Sequence, residues 1–259
     1  MVSPSTDIGS RDPLTPSHPL AARWNLARAI LHRHEGRTVS NSSPALSSDT
    51  TSAAAELVLA LRPSNVLELG SGRSTVALAQ AARATGATAL WSFEHDEKYL
   101  GLTQQELVHQ GLDREVHLVH APVRPHRAGP FVGLWYDTRA LVGAPSFDLV
   151  LVDGPPARAV GRFMTLPLLW PRLRPGALLL LDDANRRKLE AVWLDLWQRI
   201  YGSALAVARH DRFHKGLGLI MKCHDRRRPL SASTWWHYLV STLDHASRMA
   251  VRHVREGWR

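Results

Sequence analysis

NVLELGSGRSTVALAQ, residues 65–80, is the stretch whose reading decides the fold. VLEL has the apolar character of a buried strand, and RSTVALAQ has the spacing of a helix. Between them stands Gly70-Ser71-Gly72, two residues after the carboxylate of Glu68. A turn this tight, opening a helix, can bring backbone N–H groups against a ligand. It can equally be a plain strand-to-helix connection, so the surrounding pattern has to decide.

Outward from that turn the period alternates. Strands are expected at 66–69, 89–94, 115–121, 147–153, 177–183, 204–210 and 217–223. Helices are expected at 20–34, 50–62, 73–84, 97–110, around 159–170 and at 186–200, with a Pro/Gly-rich stretch at 122–146. FDLVLVD (147–153) is apolar but for Asp148 up to its closing Asp153, as a strand covered on both faces is. The last two strands are separated only by DRFHKG, too short for a helical crossover, so they pair antiparallel. The expectation is an α/β protein with a Rossmann-like, doubly wound, mostly parallel seven-stranded sheet that ends in an antiparallel C-terminal hairpin.

Ligands of open α/β sheets sit at the carboxyl ends of the strands. Four of those ends carry acids here: Glu68, Glu94, Asp153, and the pair Asp182-Asp183. Unpaired carboxylates are costly to bury, so their repetition points to a shared polar cleft. Glu94 lies 22 residues beyond Gly72, where an acid accepts hydrogen bonds from ribose hydroxyls. The third glycine of a dinucleotide fingerprint is missing, because Thr75 occupies its place. Glu68 would also set negative charge near a pyrophosphate. A nucleoside with an ammonium group suits Glu68 better, and a ligand carboxylate could use the helix N-terminus near Arg73 and Ser74. S-adenosylmethionine has ribose, ammonium and carboxylate together.

LELGSGRST, FEHDEKYL, FDLVLVDGPP and LRPGALLLLDDANR, in this order, resemble the class I S-adenosylmethionine-dependent methyltransferases. Among these the chain looks closest to the O-methyltransferase-like kind whose fourth strand ends in Asp-Gly-Pro. The resemblance covers roughly residues 50–223. It departs from the family's first motif at Ser74, where a third glycine is usual. It implies that Glu68 reaches the methionine ammonium, directly or through water. It implies that Gly70, Ser71 and Gly72 pack backbone against the cofactor, with Ser74 at the helix start. Glu94 would hold the ribose, His95 would lie near the adenine, and Asp153 would face the transferred methyl and serve as the catalytic residue. No metal is expected among the sites, although Asp153, Asp182 and Asp183 could reach one ion, and catechol-type relatives bind Mg²⁺ through comparable positions.

Around this domain of residues 50–223 the expected organisation is a disordered tail (1–19), a helix with a mobile connection (20–49), and a basic linker with an amphipathic helix (224–259). The helix aligns Trp236, Leu239, Val240, Leu243, Ala250, Val254 and Trp258 near one face. It is expected to dock on the sheet or on a second subunit. Peripheral membrane contact through residues 231–259 is the alternative. A single cysteine, Cys223, suits a reducing compartment, and no secretory signal or spanning segment is present, so a cytoplasmic location is expected. The net charge of +9 admits nucleic acid, but only four of 32 basic residues are lysine, an Arg bias that a GC-rich genome also produces. Methylation of a small-molecule oxygen is the favoured activity. The competing readings are an RNA or other macromolecular methyltransferase, a nicotinamide-dependent oxidoreductase, and a non-catalytic S-adenosylmethionine-binding module. Trp135, Tyr136 and Asp137 either line the acceptor pocket or plug the core edge.

Overall fold

The computed structural model describes residues 14–36, 46–155, 162–186, 190–226 and 230–256, with the side chains of the last helix described through 244. Most of the expected disordered tail, most of the expected mobile connection, Arg227 and Arg228 of the basic linker, and the apolar positions Ala250, Val254 and Trp258 lie outside what is described. Within the expected tail, residues 14–19 form turns that seat Leu14 against the core.

Two N-terminal helices come first, α1 (Ala21–His34) and α2 (Ser48–Leu61). The alternating segment follows: β1 (Asn65–Leu69), α3 (Arg73–Thr85), β2 (Ala89–Glu94), α4 (Glu97–His109) and β3 (Val116–His120). After an inserted hairpin, β4 (Val123–Ala128) and β5 (Phe131–Tyr136), come β6 (Phe147–Val152), α5 (Thr165–Leu169), β7 (Leu173–Asp182) and α6 (Glu190–Tyr201). β8 (Leu205–His210), β9 (Leu217–Lys222) and α7 (Ala232–Glu256) complete the chain. The main sheet runs β3-β2-β1-β6-β7-β9-β8, with β9 antiparallel to both its neighbours. The expected doubly wound seven-stranded sheet with its antiparallel end is therefore the observed one.

Side chains alternate across the sheet with period two. Leu149, Leu151, Leu178 and Leu180 face the layer that contains α1, α2 and α3. Val150, Val152, Leu179 and Leu181 face the opposite layer, which contains α5, α6 and the hairpin. Both faces are dry, which is why these strands read as unbroken apolar runs.

Two sequence expectations are corrected. The 122–146 stretch is not merely a connection: it holds the β4–β5 hairpin, paired from Val123↔Tyr136 to Ala128↔Phe131. Its turn uses Gly129 at φ +62°, a left-handed conformation that glycine adopts without a Cβ penalty. The continuous helix expected around 159–170 is, in its described part, a 3₁₀ turn (Arg162–Met164), the five-residue α5 and a second 3₁₀ turn (Trp170–Arg172). Pro167 and Pro171 lack the N–H that a longer helix needs.

The packed stripe of α7 also differs from the expected one. Tyr238 is buried and Trp235 and Leu239 pack on the core, whereas Trp236 (67% exposed), Val240 and Leu243 face outward. The Tyr238 hydroxyl decides the docking: it donates to Val132 O and accepts from Val132 N, both at 3.1 Å. Its ring stands edge-on to Phe131 at 4.9 Å. Tyr238→Phe keeps the ring and loses both hydrogen bonds, so the urea unfolding free energy is expected to fall by about 1–2 kcal/mol. An unchanged midpoint would mean that α7 is held by its apolar contacts alone. Among the described residues no helix is long and apolar enough to cross a membrane.

Candidate active site

The chain reverses its winding between β1 and β6, which are adjacent and parallel but lead to strands on opposite sides. Loops leaving the two strands must diverge there, and the crevice between them is the place where such sheets bind ligands. The first loop starts at Gly70, whose φ of +101° is a conformation that L side chains rarely adopt. A Cβ on Gly70 would stand 3.3 Å from Gly154 N. That nitrogen already donates to Leu69 O at 2.6 Å, and Asp153 N donates to the same oxygen at 3.1 Å. The ends of β1 and β6 are thus stitched together, and only glycine fits between them. A Cβ at Gly72, in contrast, meets no atom within 4 Å, so this edge of the loop is open.

A cavity of about 1020 Å³ lies over this crossing point. One wall is the turn Gly70–Arg73 with Glu94 and His95 from the end of β2. A second is the α4 face carrying Tyr99, Leu102 and Thr103. The third is Tyr136, Asp153, Gly154, Arg162 and Arg186. Six of the expected site residues are therefore together: Gly70, Ser71, Gly72, Glu94, His95 and Asp153.

Glu94 organises the first wall. Its Oε2 accepts from Ser71 N at 2.9 Å, and its Oε1 accepts from His95 N at 2.8 Å and Asp96 N at 2.9 Å. His95 Nδ1 lies 2.7 Å from Oε1. Burial pushes this carboxyl up, but the His95 side chain and the backbone N–H groups of Asp96 and Ser71 outweigh it and hold it below the usual value. Asp96 is spent locally, capping α4 through Lys98 N at 2.9 Å and Tyr99 N at 3.4 Å.

Glu68 and Ser74 stand behind the loop, buried, and not on the cavity wall. Glu68 Oε2 accepts from Thr75 Oγ1 and Ser92 Oγ, each at 2.6 Å, while Oε1 has no bond of hydrogen-bonding geometry. Burial pushes its carboxyl up to about 7, against the opposing hydroxyls of Ser74, Ser92 and Thr75. Thr75 Oγ1 also accepts from Gly72 N at 2.9 Å, so the residue that replaces a fingerprint glycine ties the turn to the acid beneath it.

The raised acid has a consequence for stability. The folded value of Glu68, about 7, exceeds the model-peptide value of 4.5, so the folded state binds the extra proton between them. That contribution is full below pH 4.5 and is lost as pH rises through about 7. Glu68→Gln is expected to flatten the decline of urea stability across that window. A variant with the wild-type slope would show that Glu68 does not hold the proton.

The aromatic stretch divides its roles. Trp135 plugs the core, donating from Nε1 to Thr165 Oγ1 at 3.0 Å. Asp137 binds Arg139 and caps the turn after β5. Tyr136 does both jobs: it lines the cavity, yet its ring and hydroxyl are buried, and the hydroxyl has no hydrogen-bond partner among the described residues. Burial is the first reason that this phenol is held well above its usual value.

Sequence reading missed Arg162. It is buried, contacts Asp153 and Asp183, and lies on the cavity wall. No motif announced it, because its partners are 9 and 21 residues away and are assembled by tertiary packing.

Residues 67–184 match the family model described as a methyltransferase domain. The structure is similar to a methyltransferase from Geobacter sulfurreducens, with TM-score 0.54 and 16% identity, over 82% of this chain and 91% of that one. It is similar to the S-adenosylhomocysteine-bound methyltransferase PaMTH1 of Podospora anserina, with TM-score 0.53 and 17% identity, over 79% and 88%. It is also similar to the O-methyltransferase TomG of Streptomyces achromogenes, solved with S-adenosylmethionine and involved in tomaymycin synthesis, with TM-score 0.52 and 16% identity, over 75% and 90%. No curated protein matches the chain.

Proposed function

We propose that this protein is a class I S-adenosylmethionine-dependent methyltransferase that methylates an oxygen of a small-molecule acceptor, a reading supported by the methyltransferase-domain match over residues 67–184 and by the fold. The observation that carries the reading is the cavity over the β1–β6 crossing, with Glu94 on one wall and Asp153 on the other. The residues suit the cofactor. Glu94 retains acceptor capacity for ribose hydroxyls, since two carboxylate oxygens offer about four lone-pair sites. Glu68, buried beneath the Gly70–Gly72 turn and off the cavity wall, is the acid proposed to meet the ammonium through water. Arg73 and the N-terminus of α3 on the same wall suit the carboxylate. Tyr136, on the third wall, carries a buried hydroxyl without a hydrogen-bond partner among the described residues.

S-adenosylmethionine, when bound, brings a methyl group already activated on a sulfonium. What the chain adds is alignment, water exclusion and a route for the acceptor's proton. Asp153 is the group to take that proton. Burial raises its carboxyl above the usual carboxylate range while the Arg162 guanidinium restrains the rise. Arg162 donates to Asp153 Oδ1 at 3.2 Å and also to its backbone oxygen, which fixes the side chain without covering it.

The test begins with calorimetry of S-adenosylmethionine against a nicotinamide dinucleotide, in which only the first should bind. A panel of phenolic and aliphatic hydroxyl acceptors follows. With an acceptor in hand, Asp153→Asn should lower kcat by roughly 10²–10⁴-fold and leave cofactor affinity nearly unchanged. Tight cofactor binding with no turnover over a broad panel would favour a binding module instead. RNA is the second reading, motivated by the +9 charge. Its mark would be an RNA affinity that falls steeply with salt. The cytoplasm is the proposed location, given a single buried cysteine. Trp236, Val240 and Leu243 stand exposed on α7, and co-sedimentation with anionic vesicles tests them as a membrane contact.

A further inference from the structure

Asp153, Asp182 and Asp183 each offer a carboxylate oxygen, and these oxygens lie within 4.8 Å of one another. Spacing alone would suit a hard divalent cation, which takes oxygen ligands. The residues around them argue otherwise. The Arg162 guanidinium is wedged among these acids, with Nη1 2.8 Å from Asp183 Oδ2 and Nη2 3.2 Å from Asp153 Oδ1. The same Nη1 lies 3.1 Å from Glu190 Oε1 and donates to Asp182 O at 3.3 Å. Asp183 has a second guanidinium, Arg186 Nη2 at 3.0 Å, and Lys215 Nζ stands 4.0 Å from Asp182 Oδ2.

Each of the three carboxylates therefore has a cation of the chain's own beside it. Four acids, with Glu190, face three permanent or near-permanent cations: Arg162, Arg186 and Lys215. Arginine is not deprotonated in proteins, so the charge at the centre is constant. Arg162 is itself only 5% exposed, so a hydrated ion would have to displace a packed side chain to take its place. Its fork also fixes direction as well as charge, and a point ion would not reproduce that.

We propose that Arg162 is a built-in substitute for a divalent metal, so that the acceptor side of this cavity is organised by a guanidinium and operates without Mg²⁺. The residue is a positioning group: it acts by holding Asp153 against the cavity and by neutralising the acids behind it. The inference is independent of which acceptor is methylated, because its readout is cation binding.

The experiment is a titration of the full-length protein with MnCl₂ and MgCl₂, followed by calorimetry and by thermal unfolding. The wild type is expected to show no saturable site and no shift of Tm with either metal or with EDTA. Arg162→Ala removes the resident cation and leaves the acids. It is expected to bind Mn²⁺ at least tenfold more tightly than the wild type, with a rise of Tm that Arg162→Ala/Asp182→Asn loses. A saturable Mn²⁺ site in the wild type, abolished by Asp182→Asn, would overturn the proposal. A folded Arg162→Ala that gains no Mn²⁺ affinity would overturn it too. Should Arg162→Ala not fold, the wild-type titration decides by itself.

Discussion

Gly70→Val is expected to lower the affinity for S-adenosylmethionine by on the order of 100-fold or more while the sheet still folds. The backbone there sits at φ +101°, and a side chain forced into such a region costs of order 1–3 kcal/mol. The new Cβ would also stand 3.3 Å from Gly154 N. That atom is backbone, already committed to Leu69 O at 2.6 Å, so it has little room to give. Relief comes by moving the Gly70–Gly72 turn away from β6, which disturbs the wall proposed to hold the cofactor. At about 1.4 kcal/mol per tenfold, the strain and the displaced wall together account for roughly two decades. Isothermal titration of the variant, with circular dichroism to verify folding, reads the outcome. Wild-type affinity in a folded Gly70→Val protein would remove the crossing point from the cofactor site.

Glu94→Ala should weaken the same binding by tenfold or more, for a compound reason. The variant loses the acceptor proposed for the ribose, and hydrogen bonds to charged groups contribute roughly 1.5–3 kcal/mol. It also strands Ser71 N, His95 N and Asp96 N, which Glu94 holds at 2.8–2.9 Å. Glu94→Gln separates the two effects. One amide oxygen can still accept from His95 N and Asp96 N, whereas the amide NH₂ cannot accept from Ser71 N. Stability of Glu94→Gln should therefore recover part of what Glu94→Ala loses, while cofactor affinity stays low. The acid dependence has a definite sign. A carboxyl held below its unfolded value of 4.5 contributes stability above that pH and loses it as pH falls through the lower folded value. Cofactor affinity should be level from weakly acidic to neutral pH. A Glu94→Ala protein that binds as the wild type does would place the ribose elsewhere.

The strands, their order of appearance and the acids at their ends were legible because each depends on a short window. VLEL, FDLVLV and ALLLL place apolar residues on both alternating faces, interrupted only by Glu68 and Asp148, as a sheet covered on both sides requires. DRFHKG is too short to cross over, so the antiparallel end followed from chain length alone. The β4–β5 hairpin was hidden because Pro125, Pro130, Gly129 and Gly133 make its composition that of a loop. It is a sheet because Tyr136, Trp135 and Phe131 find a core to fill. The stripe of α7 was misassigned for a similar reason. With aromatic and aliphatic residues on several faces, periodicity could not choose, and the bond from Tyr238 to Val132 did.

By itself, then, the sequence determined the doubly wound sheet, the glycine turn at its crossing and the candidates Gly70, Ser71, Gly72, Glu94, His95 and Asp153. These rest on local periodicity and on residues that sit at strand ends wherever such strands lie. Only the tertiary structure decided how the acids are partnered. It put Glu68 beneath the turn with Thr75 and Ser92, buried the Tyr136 hydroxyl with no partner among the described residues, and brought Arg162 between Asp153 and Asp183. Those are contacts between residues distant in sequence, where burial removes water and makes each charge depend on the neighbour that packing supplies.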